Sequence, residues 1–405
     1  MTPLYDRLET NIPRGLMGFS DLEWPEDSQL FPRHETVLGY IERYAEDVKQ
    51  LIQFRRRVLD VSLARDERWL VKTQAVSREG SDIVEETFDA VIVANGHYNV
   101  PYIPEVPGIE RWSAAYPGTI SHSKFYRNPD QYAGKKVIVV GNSASGIDIG
   151  AQIQPVCKPP MLLSSKSESM MANAASPTQM EKPPIAEYIV EDRTVRFEDG
   201  TTESGIDAIL YCTGYFYSLP FLESLHPPLI TSGENVERLY QHIFYQQRPT
   251  LALMVLNQKV IPFPWAEAQA AVIARVFSGR LSLPDAAEMA AWERQWRKAN
   301  GDGRMFHVLK YPKDADYINM LHDWTQEADG ETSPGGRLAA KSNDVGEAVG
   351  KIPPYWGERE YWTRERSPAM KKAFQDLGED RHAVRSLEQL GFDFEKWKAE
   401  NERGV

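Results

Sequence analysis

The stretch Lys135 to Gly150, KKVIVVGNSASGIDIG, constrains the fold of this chain more than any other. Val137 to Val140 is a short β-branched run suited to a strand buried on both faces, and a helix-compatible run extends from Ile147 to Ile153. Between them stand Gly141, Asn142, Ser143, Ala144, Ser145 and Gly146. A strand that turns sharply into a helix aims free backbone N–H groups, and the positive end of the helix dipole, at whatever lies above the turn. A pyrophosphate suits that place. Gly141 makes the tight turn, Gly146 lets the helix close on the strand, and Ser143 stands where the dinucleotide fingerprint has its second glycine. An ordinary strand, turn and helix would read the same way locally, so the residues after the next strand carry the distinction.

The next apolar run, Met161 to Leu163, leads into Ser164, Ser165, Lys166 and Ser167. An NAD site places an Asp or Glu about twenty residues past the motif. Hydroxyls and a cation there suit a 2′-phosphate instead, so the expected nucleotide is NADPH, with Ser165 and Lys166 as its discriminating contacts.

Length and charge bound the rest. A chain of 405 residues has material for two or three domains, and a net charge of −12 argues against a nucleic-acid groove or an anionic membrane as partner. The two cysteines, Cys157 and Cys212, form neither a metal spacing nor a disulfide framework, which points to the reducing cytoplasm. No run approaches the roughly 18 to 20 apolar residues of a membrane span. The start, MTPLYDRLETN, has neither the basic opening nor the apolar core of a signal peptide. Hydrolase and metalloprotease signatures, G-x-S-x-G and H-E-x-x-H, are missing, and the eight histidines are scattered.

Taken in order, residues from Tyr5 to Trp24 read as irregular and packed, with Asn11 and Asp21 as polar groups among apolar neighbours. Val37, Leu38, Ile41, Tyr44, Ala45 and Val48 share one face of a helix that begins near Glu35, and Arg55 to Arg57 read as a solvated strand end. Trp69 to Thr87 read as two strands about a turn at Ser77 to Ser81. Two segments then echo each other: FDAVIVANGHY, containing Asn95 and Gly96, and IDAILYCTGYF, containing Thr213 and Gly214. Each sets Asp-Ala before an apolar run and closes on a glycine beside an aromatic. Flanking the Gly141 turn, they read as the two crossings between nested domains, with glycines that let backbone approach a ligand. Inside lie a loop from Lys166 to Pro184 and a hairpin turning at Glu198-Asp199-Gly200. Beyond them come a helix from Pro264 ended by Gly279, a second opened by Pro284, a surface loop over Asp329 to Lys341, and one or two closing amphipathic helices.

The residues then resemble a family. YPGTISHSKFY, Tyr116 to Tyr126, is similar to the fingerprint F-x-G-x-x-x-H-x-x-x-[YF] of flavin-containing monooxygenases, with Gly118, His122 and Tyr126 in place and Tyr116 for Phe. Baeyer–Villiger enzymes look similar here but prefer Trp at the last position. TNIPRGLMGFSD around Asn11, ANGHY, GNSASG, CTGY and IPFPWAEAQA agree in order with the same family. The resemblance implies a chain that binds NADPH and FAD and uses O2 to oxygenate a soft nitrogen or sulfur, or a ketone, of a small molecule. Asn11 would hydrogen-bond near the flavin edge and the bound nucleotide. His122 would orient the linker between domains. The implied fold is α/β with two nested Rossmann-like dinucleotide-binding domains and a helical C-terminal region: residues 1–112 and 218–405 form the FAD-type domain, and residues 113–217 the NADP domain.

In that family a first G-x-G-x-x-G for FAD precedes the part resembling Asn11, and this sequence begins about ten residues before that point. The larger domain is therefore expected to be N-terminally incomplete, with FAD held weakly or not at all. A non-catalytic NADP-binding relic, or a truncated gene product, is the alternative. A two-dinucleotide reductase would show paired redox cysteines, and none occur. The substrate and the oligomeric state are not legible.

Two substitutions test this reading. Lys166→Ala should weaken NADPH by about 1.5 to 3 kcal/mol and leave NADH unchanged; equal affinity of the wild type for both cofactors in a titration would remove the NADP assignment. Gly146→Val should abolish nucleotide binding, and a cooperatively melting variant that still bound NADPH would show the site to be elsewhere.

Overall fold

The computed structural model describes residues 2–76, 82–166, 178–328 and 350–402. They divide into two compact units: unit 1 takes residues 1–9 and 97–216, and unit 2 takes residues 10–96 and 217–405. The expected division at residue 112 falls inside unit 1. Strand pairing explains the difference, because Val100 and Pro101 pair with Phe216 and Tyr215, and the helix over Ile109–Ala115 packs its buried Trp112 against Tyr188.

Unit 2 opens with an irregular stretch, held where Thr10 N–H donates to Pro32 O and Arg14 N–H to Leu30 O, both at 2.9 Å. Helix α1 (His34–Tyr44) comes next, with Glu35 in its first turn and Arg43 in its last, charges that oppose the helix dipole at each end. Strands β1 (Arg56–Leu63), β2 (Trp69–Ala75) and β3 (Val84–Phe88) form an antiparallel sheet. The turn expected at Ser77 to Ser81 lies outside the described residues. Strand β4 (Val91–Val93) then carries the chain to the first crossing.

In unit 1 come β5 (Val100–Pro101), α2 (Ile109–Ala115), β6 (Ile120–His122), β7 (Val137–Val140), α3 (Ala144–Ile153), β8 (Met161–Ser164) and β9 (Gln179–Lys182). A small antiparallel sheet of β10 (Ile185–Ile189), β11 (Thr194–Phe197) and β12 (Thr202–Glu203) is followed by β13 (Ala208–Tyr211) and β14 (Tyr215–Phe216). The main sheet runs β6-β13-β7-β8-β9, parallel throughout. Its β-branched run is continuous because both faces are covered: Val137 and Val139 meet Ile149 and Ile153 of α3, while Ile138 meets the layer containing Trp112, Tyr188 and Phe197. Strand β9 corrects the expected loop from Lys166 to Pro184, of which residues 167–177 lie outside the description. Gln-Met-Glu-Lys lacks an apolar run because an edge strand needs only backbone pairing with β8.

Back in unit 2, β15 (Leu239–Tyr240), β16 (Phe244–Tyr245) and β17 (Leu251–Leu253) join β4 in the order β15-β16-β17-β4, with β17 and β4 parallel. Helices α4 (Pro262–Phe277), α5 (Ala286–Asn300), α6 (Lys313–Glu327), α7 (Glu358–Asp376) and α8 (Phe394–Glu402) complete the unit. Trp265 of α4 stacks on Tyr317 of α6, centroids 4.2 Å apart, at the centre of its largest core. Helix α5 starts not at Pro284 but after Asp285, whose carboxylate caps Glu288 N–H while Glu288 returns to Asp285 N–H. Gly279 closes α4 at φ 73°, the left-handed position that ends many helices. The expected loop over Asp329 to Lys341 lies outside the described residues.

One buried pair in unit 2 has a defined protonation state. His307 Nε2 accepts the Val236 N–H at 3.1 Å, so its proton sits on Nδ1 and is donated to His242 Nδ1, also at 3.1 Å. His242 is fully buried against Trp292, Trp296, Phe306 and Tyr317, and this burial lowers its pKa to about 3. An unfolded histidine binds a proton below about pH 6.5. Stability from this pair is thus present above that pH and is lost as pH falls towards the folded value, by about 1.4 kcal/mol per unit. Urea unfolding between roughly pH 6.5 and 5.5 should show that slope, and His242→Asn, which does not titrate, should flatten it. Parallel slopes in the two proteins would locate the acid sensitivity elsewhere.

Candidate functional site

The carboxyl ends of β6, β13, β7 and β8 share one edge of the unit 1 sheet, the edge where doubly wound folds bind ligands. After β7 the chain turns at Gly141, φ 107°, where a β-carbon would stand 2.7 Å from Cys212 O. A β-carbon on Gly146 would collide with the Gly141 carbonyl. Both glycines are therefore needed for α3 to start this close to β7. Ser143 is the N-cap residue of α3 but makes no side-chain cap, and Ser143, Ala144 and Ser145 are exposed. The first-turn N–H groups thus remain available for an anion, and the residues present fit the pyrophosphate of NADPH. Ser165 and exposed Lys166 directly follow β8, on the same edge.

The fingerprint residues serve structure around this edge. His122, at the end of β6, accepts the Lys124 N–H on Nδ1 and donates from Nε2 to Gly214 O at 3.0 Å. Its burial, opposed by the Gly214 bond, holds its pKa down at about 4, so it is neutral near pH 7 and acts as a brace. Gly214, φ 82°, also accepts the Tyr102 N–H at 2.9 Å, and the Thr213 hydroxyl donates to Tyr102 O. Thr213 thus ties the loop after β13 to Tyr102. Gly118 precedes β6, at the opposite end of a parallel sheet from Gly141, and its φ of 80° serves the turn in which Thr119 N–H reaches Tyr116 O.

Asn11, Asn95 and Gly96 belong to unit 2, all exposed, with Asn95 and Gly96 just past the end of β4. Asp21, in contrast, has an internal partner: Lys351 Nζ donates to Asp21 at 2.7 Å, to buried Glu267 at 2.7 Å and to Tyr44 at 2.7 Å. Although burial opposes the charge, these bonds raise the Lys351 pKa. Near the start of α4, Asn257 is only 2 % exposed and both of its amide atoms lack partners. That orphaned amide and the uncapped N-terminus of α4 suit a polar ring edge. The rest of FAD is another matter. Among the described residues of unit 2, no strand passes through a glycine turn directly into a helix, so they offer FAD no pyrophosphate cradle.

Sequence reasoning missed the first nine residues as part of unit 1. Buried Tyr5 donates to Asp148 on α3 at 2.5 Å, Gln152 donates to the same carboxylate at 3.1 Å, and Tyr126 donates to Gln152. Arg127 reaches Leu4 O at 2.8 Å and Thr2 O at 3.0 Å. Tyr5, Leu4 and Thr2 stand more than 120 positions from these partners, beyond any local pattern. Among the described residues no helix is long and apolar enough to cross a membrane, and no cluster of His, Cys, Asp or Glu could hold a metal.

Comparison with known proteins bears on this geometry. Flavin-containing monooxygenase FMO GS-OX-like 2 of Arabidopsis thaliana is 35% identical over 347 residues, covering 79% of this chain and 71% of that protein. FMO GS-OX-like 8 of the same plant is 35% identical over 305 residues, 71% of this chain and 64% of that protein. The chain thus spans 64 to 71% of the length of these two relatives. The solved structure of S-allyl-L-cysteine S-oxygenase from Allium sativum superposes with a TM-score of 0.75 at 28% identity, over 96% of this chain and 82% of that one. Cyclohexanone monooxygenase, at 12% identity and TM-score 0.54, shares the fold alone, over 80% of this chain and 89% of its own. Residues 1–181 and 178–332 match the flavin-binding monooxygenase-like description, and the chain belongs to that family.

Proposed function

We propose that this chain binds NADPH on unit 1 and serves flavin-dependent oxygenation of a soft sulfur or nitrogen centre in a small molecule, with O2 as the oxygen donor. The observation that carries the nucleotide part is the pair Gly141 and Gly146, which let the uncapped start of α3 approach β7. The S-oxygenase activity in the name of the Allium sativum relative supports sulfur over a ketone.

On this reading the pyrophosphate lies on the first turn of α3, and Ser165 with Lys166 recognises the 2′-phosphate. His122 stays neutral and holds the Gly214 carbonyl, so it moves no proton. Asn11 offers an exposed amide that orients the reacting end. FAD, when bound, supplies hydride acceptance and O2 activation. The described residues provide it a polar contact at Asn257. The second reading is an NADP-binding protein without oxygenase activity.

The absorption spectrum of the purified protein, with and without added FAD, separates the two. A flavin band together with thioether-dependent NADPH consumption supports the first reading. NADPH binding with neither band nor turnover supports the second. In a preparation that oxygenates, Asn11→Ala should lower turnover by about 10²-fold, the usual loss of one oriented donor, while NADPH affinity holds. Unchanged turnover would remove Asn11 from the reacting site.

A further inference from the structure

The unit 1 sheet orders what surrounds the nucleotide turn. Adenosine in such folds lies towards the strand that comes after the turn and its helix, here β8 with Ser165 and Lys166 at its end. The other half of a dinucleotide therefore runs the opposite way, over the ends of β13 and β6. Four aromatic groups stand there. Tyr215 comes after β13 and is half-buried. Its ring meets His122 edge-on at 5.0 Å and Tyr98 at 5.4 Å, tilted by 60°. His97 backs Tyr98 at 4.3 Å. The supporting groups are buried or half-buried, yet Tyr98 leaves 53% of its surface exposed at the ligand edge.

We propose that Tyr98 is the stacking platform for the nicotinamide ring, with Tyr215 and His97 as its supports. The inference rests on the reading that unit 1 holds NADPH. A fixed aromatic face accepts a planar heterocycle without hydrogen-bond geometry, and its negative quadrupole favours the positively charged ring of NADP+ over the neutral ring of NADPH.

Calorimetric titration of the full chain with NADPH, NADP+ and 2′,5′-ADP, which lacks the nicotinamide, tests this. Tyr98→Ala should weaken NADPH by about tenfold and NADP+ by more, and leave 2′,5′-ADP unchanged. Tyr98→Phe, which keeps the face and loses the hydroxyl, should bind all three like the wild type. Equal losses for NADPH and 2′,5′-ADP in Tyr98→Ala would mean a local collapse and overturn the proposal, as would no loss at all. A wild-type chain that bound neither NADPH nor 2′,5′-ADP would overturn the nucleotide site itself. One that bound 2′,5′-ADP as tightly as NADPH would keep that site and overturn the stacking alone.

Discussion

The approach of α3 to the end of β7 is the contact on which the open start of that helix depends. Helix N-termini attract anions only where their first N–H groups are not already capped and where the ligand can reach them. Both conditions are met by omission: Ser143 leaves the first turn without a side-chain cap, and Gly141 and Gly146 leave no β-carbon between helix, turn and Cys212. The apolar layers beneath serve that contact. Ile149 and Ile153 of α3 lock against Val137 and Val139, each such burial contributing roughly 1.5 to 3 kcal/mol, so the open end of the helix is presented by a rigid base.

Polar groups buried around this base explain why the fingerprint residues need not do chemistry. His122 bridges the Lys124 N–H and Gly214 O, and Gly214 O also accepts Tyr102, so one imidazole ties the end of β6 to the chain leaving β13. Protonating that imidazole would replace an acceptor by a donor facing an N–H, which agrees with its lowered pKa. Tyr5 and Gln152 satisfy the Asp148 carboxylate, which would otherwise be an uncompensated buried charge on α3.

Unit 2 joins its helices through paired charge. Asp314 and Arg364 link α6 to α7 at 2.6 Å, and burial raises the Asp314 pKa despite its partner. Glu267 and Lys351 tie α4 to the stretch before α7. Such pairs add little net stability against apolar replacements, but removing one partner leaves an uncompensated charge. Their effect is to fix which helices meet, and with them the loop that carries the orphaned Asn257 ahead of α4.

The Gly141 turn was legible in the sequence because its physics is local: a β-branched run, two glycines and a helical run lie within sixteen residues. The same holds for α4 and the hairpin at Gly200, whose signals are periodicity, proline and glycine. Of the face expected over Val37 to Val48, α1 takes only the part up to Tyr44, and it buries Tyr40 while Leu38, Ile41 and Tyr44 stay exposed. Family resemblance carried Asn11 and His122, and spacing alone would have carried neither. Strand β9 was not legible, since an edge strand can be polar when its neighbour supplies the backbone bonds. Nor was the place of Gly118, because a glycine at a turn looks alike at either end of a parallel sheet, and only strand direction separates the ligand edge from the far one. Tyr5 on Asp148, His307 on His242, and Tyr98 beside Tyr215 join residues that are 143, 65 and 117 positions apart. Sequence determined where α3 begins; tertiary structure alone decided which side chains surround it, because those contacts arise from sheet order and packing, and no local pattern encodes either.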